Sequence, residues 1–421
     1  MATAAVGRSS GEFGLRRHLA LAAFWFGGNY HWGPILPILL PFQILHLVPK
    51  SEQGSSLGLM LGIGSFFAMV VPPLVGHLSD GFHSRYGRRR PIMVVGTAVN
   101  VVGLVLMFAA PTYTLLLLAY LVVQISNNAA GAAFNAVVPD VVPPAEFGRQ
   151  SGLLGGMVQL GTVGGLATYI ALSIAGAPLV TYIAIAVVLL LTLVPTVWAA
   201  RGEGLTPVEK EPPMPPMAAL KEFFRPLVSG DFGWVVFTRL MVTGGIWCVL
   251  PFLQFFFSDV GHIAHADQFT SFWELTLLLA ATPFGLVGGW VSDRYGRKIF
   301  VYASGACQGL AVVIFIVLFP TQVVLIFAIG VLFGVGYGLY YAVDWALACD
   351  TLPDARHAAK DMGLFHVAFT FPQVVLPSVL GFVLDAFNRN SPNSGFRVVF
   401  AVAVVFFVVG TVFVSRIRSV R

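Results

Sequence analysis

The chain has 421 residues, of which 57% are hydrophobic and 10% charged, and its mean hydropathy is +0.84. Soluble domains carry about a quarter of charged residues, so this composition excludes a soluble enzyme and defines an integral membrane protein. The net charge of +5 does not point to nucleic acid, because the basic residues are distributed as membrane topology requires.

Apolar stretches of the roughly 20 residues needed to cross a bilayer recur along the whole length. Twelve spans are predicted, over 19–47, 54–79, 91–110, 113–139, 149–172, 177–199, 231–258, 267–291, 299–318, 321–349, 361–385 and 396–415. The first follows a short basic tail (Arg8, Arg16, Arg17); its apolar run is too long for a signal peptide and lacks a small-residue cleavage site, so a retained helix is expected. After the sixth span, "RGEGLTPVEKEPPMPPMAALKEFFRP" (201–226) is rich in Pro and charge. It reads as a linker, extended near its prolines, with a short surface helix from Met217 to Phe224. The expected organisation is therefore a tail (1–18), a six-helix bundle (19–199), a linker (200–230), a second six-helix bundle (231–415) and a tail (416–421).

With both termini inside, inner segments hold twenty Lys and Arg, and outer ones hold three, Lys50, Arg389 and Arg397. This asymmetry predicts cytoplasmic termini in a plasma (inner) membrane. Cys248, Cys307 and Cys349 all fall within spans without a CxxC or a His cluster, so neither a disulfide framework nor a metal site is expected. No GxxxxGK[ST] stretch or nucleophile arrangement is present, which argues against ATP drive, enzyme activity and a bound cofactor.

The two halves repeat. Gly76 and "SD" at 79–80 are followed, after a four-residue insert, by "RYGRRR", whereas Gly289 and "SD" at 292–293 lead directly to "RYGRK". The aspartates are 213 positions apart, and a second pair, Asp140 with Pro143 against Asp350 with Pro353, repeats at 210. Parallel repeats of six spans are a transporter architecture.

The Gly-x-x-x-Asp loop with its arginines, placed between spans 2 and 3 and again between spans 8 and 9, resembles the signature loop of the major facilitator superfamily. Within it, "SDGFHSRYGRRRP" is similar to the glycoside-pentoside-hexuronide branch and its sucrose/proton symporters, and "SNNAAGAAFNAVVPD" (126–140) to their paired-asparagine stretch. The resemblance implies an all-α membrane protein with 12 transmembrane helices in two six-helix bundles. Two departures stand out: spans 1, 2 and 4 lack the carboxylates of melibiose-type sodium symporters, and "GAAFNA" replaces the basic residue that sucrose symporters carry in span 4.

In the signature loop, Asp80 beside Arg85 and Arg88 is expected to gate the inner ends of the helices, with Asp293 and Arg297 as its echo, because paired guanidinium–carboxylate bonds can form in one state and break in the other. Arg89 and Arg90 fit topological anchoring or lipid contact as well as gating. Ionisable residues at membrane depth are functional hypotheses by default; these are His31, Arg239, Glu274, Asp344 and His366. Arg239 and Asp344 lie at similar depth and are expected to pair across the cavity as a gate or coupling element, the bland reading being a snorkelling arginine. His31 is a candidate proton carrier, and Glu274 is expected near the outer surface.

Gln124, Asn128, Gly131 and Asn135 recur on one face of span 4, and Tyr337, Tyr340, Tyr341 and Asp344 on one face of span 10. With Asn29, His31 and Trp32 of span 1 and Trp247 and Gln254 of span 7, they form the candidate substrate site. Amides and aromatic faces suit sugars, although the same residues also serve helix packing. Asn127 fits either role. The expected function is a proton-coupled secondary transporter of a small polar solute, a sugar or glycoside, working as a monomer with substrate, lipid and protons as partners. Alternative readings are an exporter of amphipathic or drug-like compounds and a non-transporting ligand-delivery or receptor protein.

Overall fold

The computed structural model describes residues 13–81, 84–203, 224–228, 230–353 and 358–420. The side chains of His77, Asp80, Pro144 and residues 358–360 lie outside this description, and with them the gating role expected of Asp80. The surface helix expected from Met217 also lies outside the described residues, apart from its last residue, Phe224.

The described residues form long helices and short 3-10 turns, with no strand among them. Helix α1 runs Leu15–Pro34, passes through a π turn at Ile35–Leu39 and continues over Leu40–Leu47. In the first half there follow α2 (Gln53–Gly81), α3 (Arg90–Ala109), α4 (Tyr113–Val141), α5 (Phe147–Ile174) and α6 (Thr181–Ala199). The second half begins with α7, which runs Gly230–Val249, tightens into a 3-10 turn at Leu250–Phe252 and continues over Leu253–Asp259. It continues with α8 (Ala266–Tyr295), α9 (Arg297–Leu318), α10 (Val323–Asp350), α11 (Ala358–Asn390) and α12 (Ser394–Phe413). Eleven of these, the interrupted α7 among them, are long and apolar enough to cross a membrane. The broken α1 supplies the twelfth of the expected spans.

Both breaks have a covalent cause. Pro37 and Pro251 lack an N–H, and a proline ring clashes with the carbonyl four residues back, so each weakens the regular α-helical ladder where it stands. A π turn in α1 and a 3-10 turn in α7 absorb the conflict. The sequence repeats here too: "WGPILP" (32–37) and "WCVLP" (247–251) share their Trp and Leu-Pro and differ in length by one residue, and a π turn accommodates one extra residue. A further repeated signal is Gly87 (φ 103°) and Gly296 (φ 92°), the glycines of the two "RYG" loops. Their left-handed backbone, which favours glycine, turns the chain sharply into α3 and α9.

Within each half the packing is equivalent. Helix α1 lies on α5 and α6, α3 on α4 and α6, and α2 on α4; α7 lies on α11 and α12, α9 on α10 and α12, and α8 on α10. The halves meet along α2–α11 and α5–α8. Both ends of the described chain, at Phe13 beside Glu146 and at Arg418 beside Asp231, lie at one face of the bundle, the terminal face; the opposite one is the far face.

Glycines show where the halves touch. Near the far face a Cβ on Gly54 would lie 2.8 Å from the Gly381 carbonyl oxygen, and one on Gly58 would lie 2.9 Å from the Pro377 carbonyl carbon. Towards the terminal face, Cβ atoms on Gly76 of α2, Gly152 and Gly155 of α5 and Gly363 of α11 would meet nothing within 4 Å. The halves are closed at the far face and splay apart towards the terminal face.

Candidate transport site

At mid-depth, where the first helix of each half breaks, the halves line a cleft between them. Its wall comes from the α1 break (Trp32, Leu36, Pro37), the α7 break (Trp247, Leu250, Pro251), Thr162 of α5, Glu274, Leu277 and Leu278 of α8, and Tyr337 of α10. Trp32 is held in place by donating from Nε1 to Asn127 Oδ1 at 3.0 Å. Asn127 thus acts through packing, orienting a residue of the wall. Glu274 makes no hydrogen bond or ion pair among the described residues.

Several expected binding residues lie elsewhere. Helix α4 contributes nothing to the described wall; α5 and α8 do instead. Asn128 donates to both the backbone oxygen and the Oε1 of Gln124, and Gln124 Nε2 donates to the Tyr120 hydroxyl at 2.6 Å. These amides satisfy each other along one helix face. Asn29 donates to the Trp25 carbonyl one turn back, and Asn135 is exposed towards the terminal face. His31 is wholly buried, packs edge-on against Trp32 with ring centroids 4.3 Å apart, and has no hydrogen-bond partner at either ring nitrogen among the described residues. Tyr341 is not among the described wall residues and packs at a tilt against one of them, 4.5 Å from the Tyr337 ring. Gln254, with its amide nitrogen towards Ile38 O (3.0 Å) and its oxygen towards Phe42 N (3.2 Å), bridges the backbone of α1 at the π turn. It joins the halves rather than lining the cleft. Glu274, expected near the outer surface, is buried and faces the cleft.

Arg239 and Asp344 do form an ion pair, and the Arg239 guanidinium also lies 3.7 Å from the centre of the Phe365 ring. The pair joins α7 to α10 inside the second bundle, so it does not reach across the cavity as expected. His366, one turn from Phe369, is exposed.

The signature loops make clamps that also stay within one half. Arg88 and Arg89 reach Asp140 at the end of α4, at 3.1 and 3.3 Å, while Glu203 after α6 accepts from the backbone N–H groups of Arg89 and Arg90 at 3.1 Å. In the second half Arg297 bonds Asp350 at the end of α10 at 2.8 Å and approaches Asp293 at 3.5 Å. Arg88 corresponds to Arg297 and Asp140 to Asp350, so one clamp is built twice. The repeat of Asp140 and Asp350 was visible in the sequence; their role as partners of the loop arginines was not. Arg85 is exposed and stacks on Tyr86, 4.7 Å from its ring centre. Close by, Glu146 accepts from Phe13 N and contacts His18 Nε2 at 2.6 Å. The His18 hydrogen bond, followed by that from Phe13 N, holds the Glu146 carboxyl below its ordinary value of 4.5.

At the far face the ties cross between halves. Asp385 of α11 accepts from Gly54 N (3.0 Å) and Ser55 N (2.7 Å), capping the N-terminus of α2; an anion there also meets the positive end of the helix dipole. Asp267 of α8 accepts from the Tyr169 hydroxyl (2.7 Å) and Ser173 hydroxyl (2.8 Å) of α5, and Lys50 meets Asp259 at 2.8 Å. None of these acids was singled out in the sequence, because each partner is distant along the chain.

Two repeated six-helix bundles around a mid-depth cleft define a membrane protein of the secondary-transporter type. The family model of the Major Facilitator Superfamily matches residues 19–273 and 235–421, and the chain belongs to that superfamily. An MFS transporter, asaE, of Aspergillus flavus is 25% identical over 349 residues, covering 81% of this chain and 74% of that protein. The class G tetracycline resistance protein of Vibrio anguillarum is 29% identical over 133 residues, 32% of each chain. Among solved structures, a bacterial homologue of the human lysosomal transporter Spinster, inward-facing and unoccupied, aligns with a TM-score of 0.74 at 15% identity over 98% of both chains. The nucleoside transporter NupG aligns with a TM-score of 0.69 at 16% identity over 96% of this chain and 99% of that one. At these identities the structural likeness establishes the fold alone.

Proposed function

We propose that this transporter moves a small amphipathic, largely apolar organic compound by alternating access, and that the cleft opens to the cytoplasm in the state described here. The charge asymmetry of twenty basic residues against three supports a cytoplasmic terminal face. The observation that carries the substrate class is the wall itself: two tryptophans, a tyrosine, leucines and prolines, with Thr162 and Glu274 as additional polar groups. A sugar needs several convergent donors and acceptors, and of the amides that favoured a sugar Asn29, Gln124 and Asn128 are bonded to one another, to Tyr120 or to backbone. The local similarity to a tetracycline resistance protein agrees with this reading.

Counterflow exchange in proteoliposomes tests it. Exchange of amphipathic aromatic compounds without exchange of glycosides is expected. Exchange of sugars alone would overturn the proposal, and absence of exchange with either would favour a non-transporting ligand-binding role.

A further inference from the structure

We infer that Glu274 makes the cleft selective for cationic compounds, its carboxylate pairing with a positive charge on the substrate. This rests on the amphipathic-substrate reading and adds a charge requirement to it.

The argument begins with the fate of the other buried acids. Asp344 has Arg239, Asp267 has two hydroxyls, Asp385 has two backbone N–H groups and Glu203 has the start of α3; Asp361 also has a partner. Each is compensated, as a charge out of water requires. Glu274 is also buried, at 9% exposure, and differs from them in having neither a base nor a donor among the described residues. Among the described residues, the wall of the cleft contains no Lys, Arg or His to neutralise it. A carboxylate in that position holds its charge only with a cation from outside the protein.

The surroundings define that cation. Trp32, Trp247 and Tyr337 share the wall with Glu274, and aromatic faces attract ammonium and guanidinium groups, most strongly when desolvated. Leu277 and Leu278, on the same helix as Glu274, add apolar surface. The largely apolar and aromatic wall suits an organic molecule rather than a bare metal ion, and Glu274 supplies a single carboxylate, whereas metal sites need several ligands. The chemistry fits an organic monocation with an aromatic or aliphatic body, and it disfavours anions.

The test compares an aryl trimethylammonium ion with its neutral tert-butyl isostere, binding each to the purified protein by equilibrium dialysis. Wild type is expected to bind the cation at least tenfold more tightly than the isostere. Glu274→Gln is expected to lose that preference while binding the isostere as wild type does, which also shows that the variant is folded; Glu274→Asp should retain the preference. If Glu274→Gln binds the cation as tightly as wild type, or if wild type binds the two compounds equally, Glu274 does not select charge and the inference falls while the amphipathic reading stands. If wild type binds neither compound but binds glycosides, both readings fall together.

Discussion

The two faces of the molecule use the same carboxylate chemistry in opposite ways. At the far face, acids of the second half bond donors of the first: Asp385 caps α2, Asp267 takes hydroxyls of α5, and Asp259 meets Lys50. At the terminal face, the described clamps bond acids of their own half: Arg88 and Arg89 with Asp140, and Arg297 with Asp350. Ties between halves must break when the far face opens, whereas ties within a half can persist as the bundles rock. In an alternating-access cycle the first set weights the conformational equilibrium, and the second keeps each bundle rigid enough to move as a unit.

The sharpest way to break this comparison is at the buried pair inside the second bundle. Asp344→Asn leaves the Arg239 charge uncompensated, which costs about 3–5 kcal/mol, so a lower thermal midpoint is expected with unchanged accessibility of the cleft. A shift in accessibility without loss of stability would show that the pair works between states instead. Next in size is Gly58→Val at the seam, where even a Cβ lies too close to α11. Overpacking of about 1–3 kcal/mol would open the far face, and a cysteine at Ser378 should become roughly 5–150-fold more reactive from that side. If its labelling does not change, the seam is not the moving boundary.

Asp385→Ala removes a cap worth about 1–2 kcal/mol and should move the same labelling readout in the same direction by roughly 5–30-fold. Asp385→Asn keeps an acceptor and should fall between that variant and wild type. The smallest effect is expected at Glu146, whose tie to His18 and Phe13 stays within the first half. Because its carboxyl is held below the ordinary 4.5, the tie adds stability above that pH and loses it as the pH falls through the lowered value. The thermal midpoint of Glu146→Gln should therefore lie below that of wild type near neutral pH and converge with it in acid; a difference independent of pH would assign the tie to packing.

Much of the architecture was legible in the chain. Apolar length and the two "RYG" loops foretold the spans, the repeat and the family, and depth along the helices foretold that Arg239 and Asp344 would pair. The site was less legible. Gln124, Asn128 and Asn135 share one face of α4, yet that periodicity is equally compatible with amides that bond each other, as Gln124 and Asn128 do. Gln254 looked like a cavity residue, but the π turn at Pro37 exposes backbone that it bridges. Glu274 lies eight residues from the start of α8, roughly ~12 Å along the axis. Axial distance alone did not reveal that its side chain faces a cleft formed by four other helices.

Hydrophobic length, charge asymmetry and internal repetition are properties of short windows, so the sequence by itself determined the class of protein, the two-bundle organisation and the positions of the two repeated loops. Which carboxylates tie half to half, which tie within a half, and which one is left facing the cleft depended on rotation about each helix axis and on partners up to 331 residues apart. Those relations exist only once the bundles have packed, and the tertiary structure alone decided them.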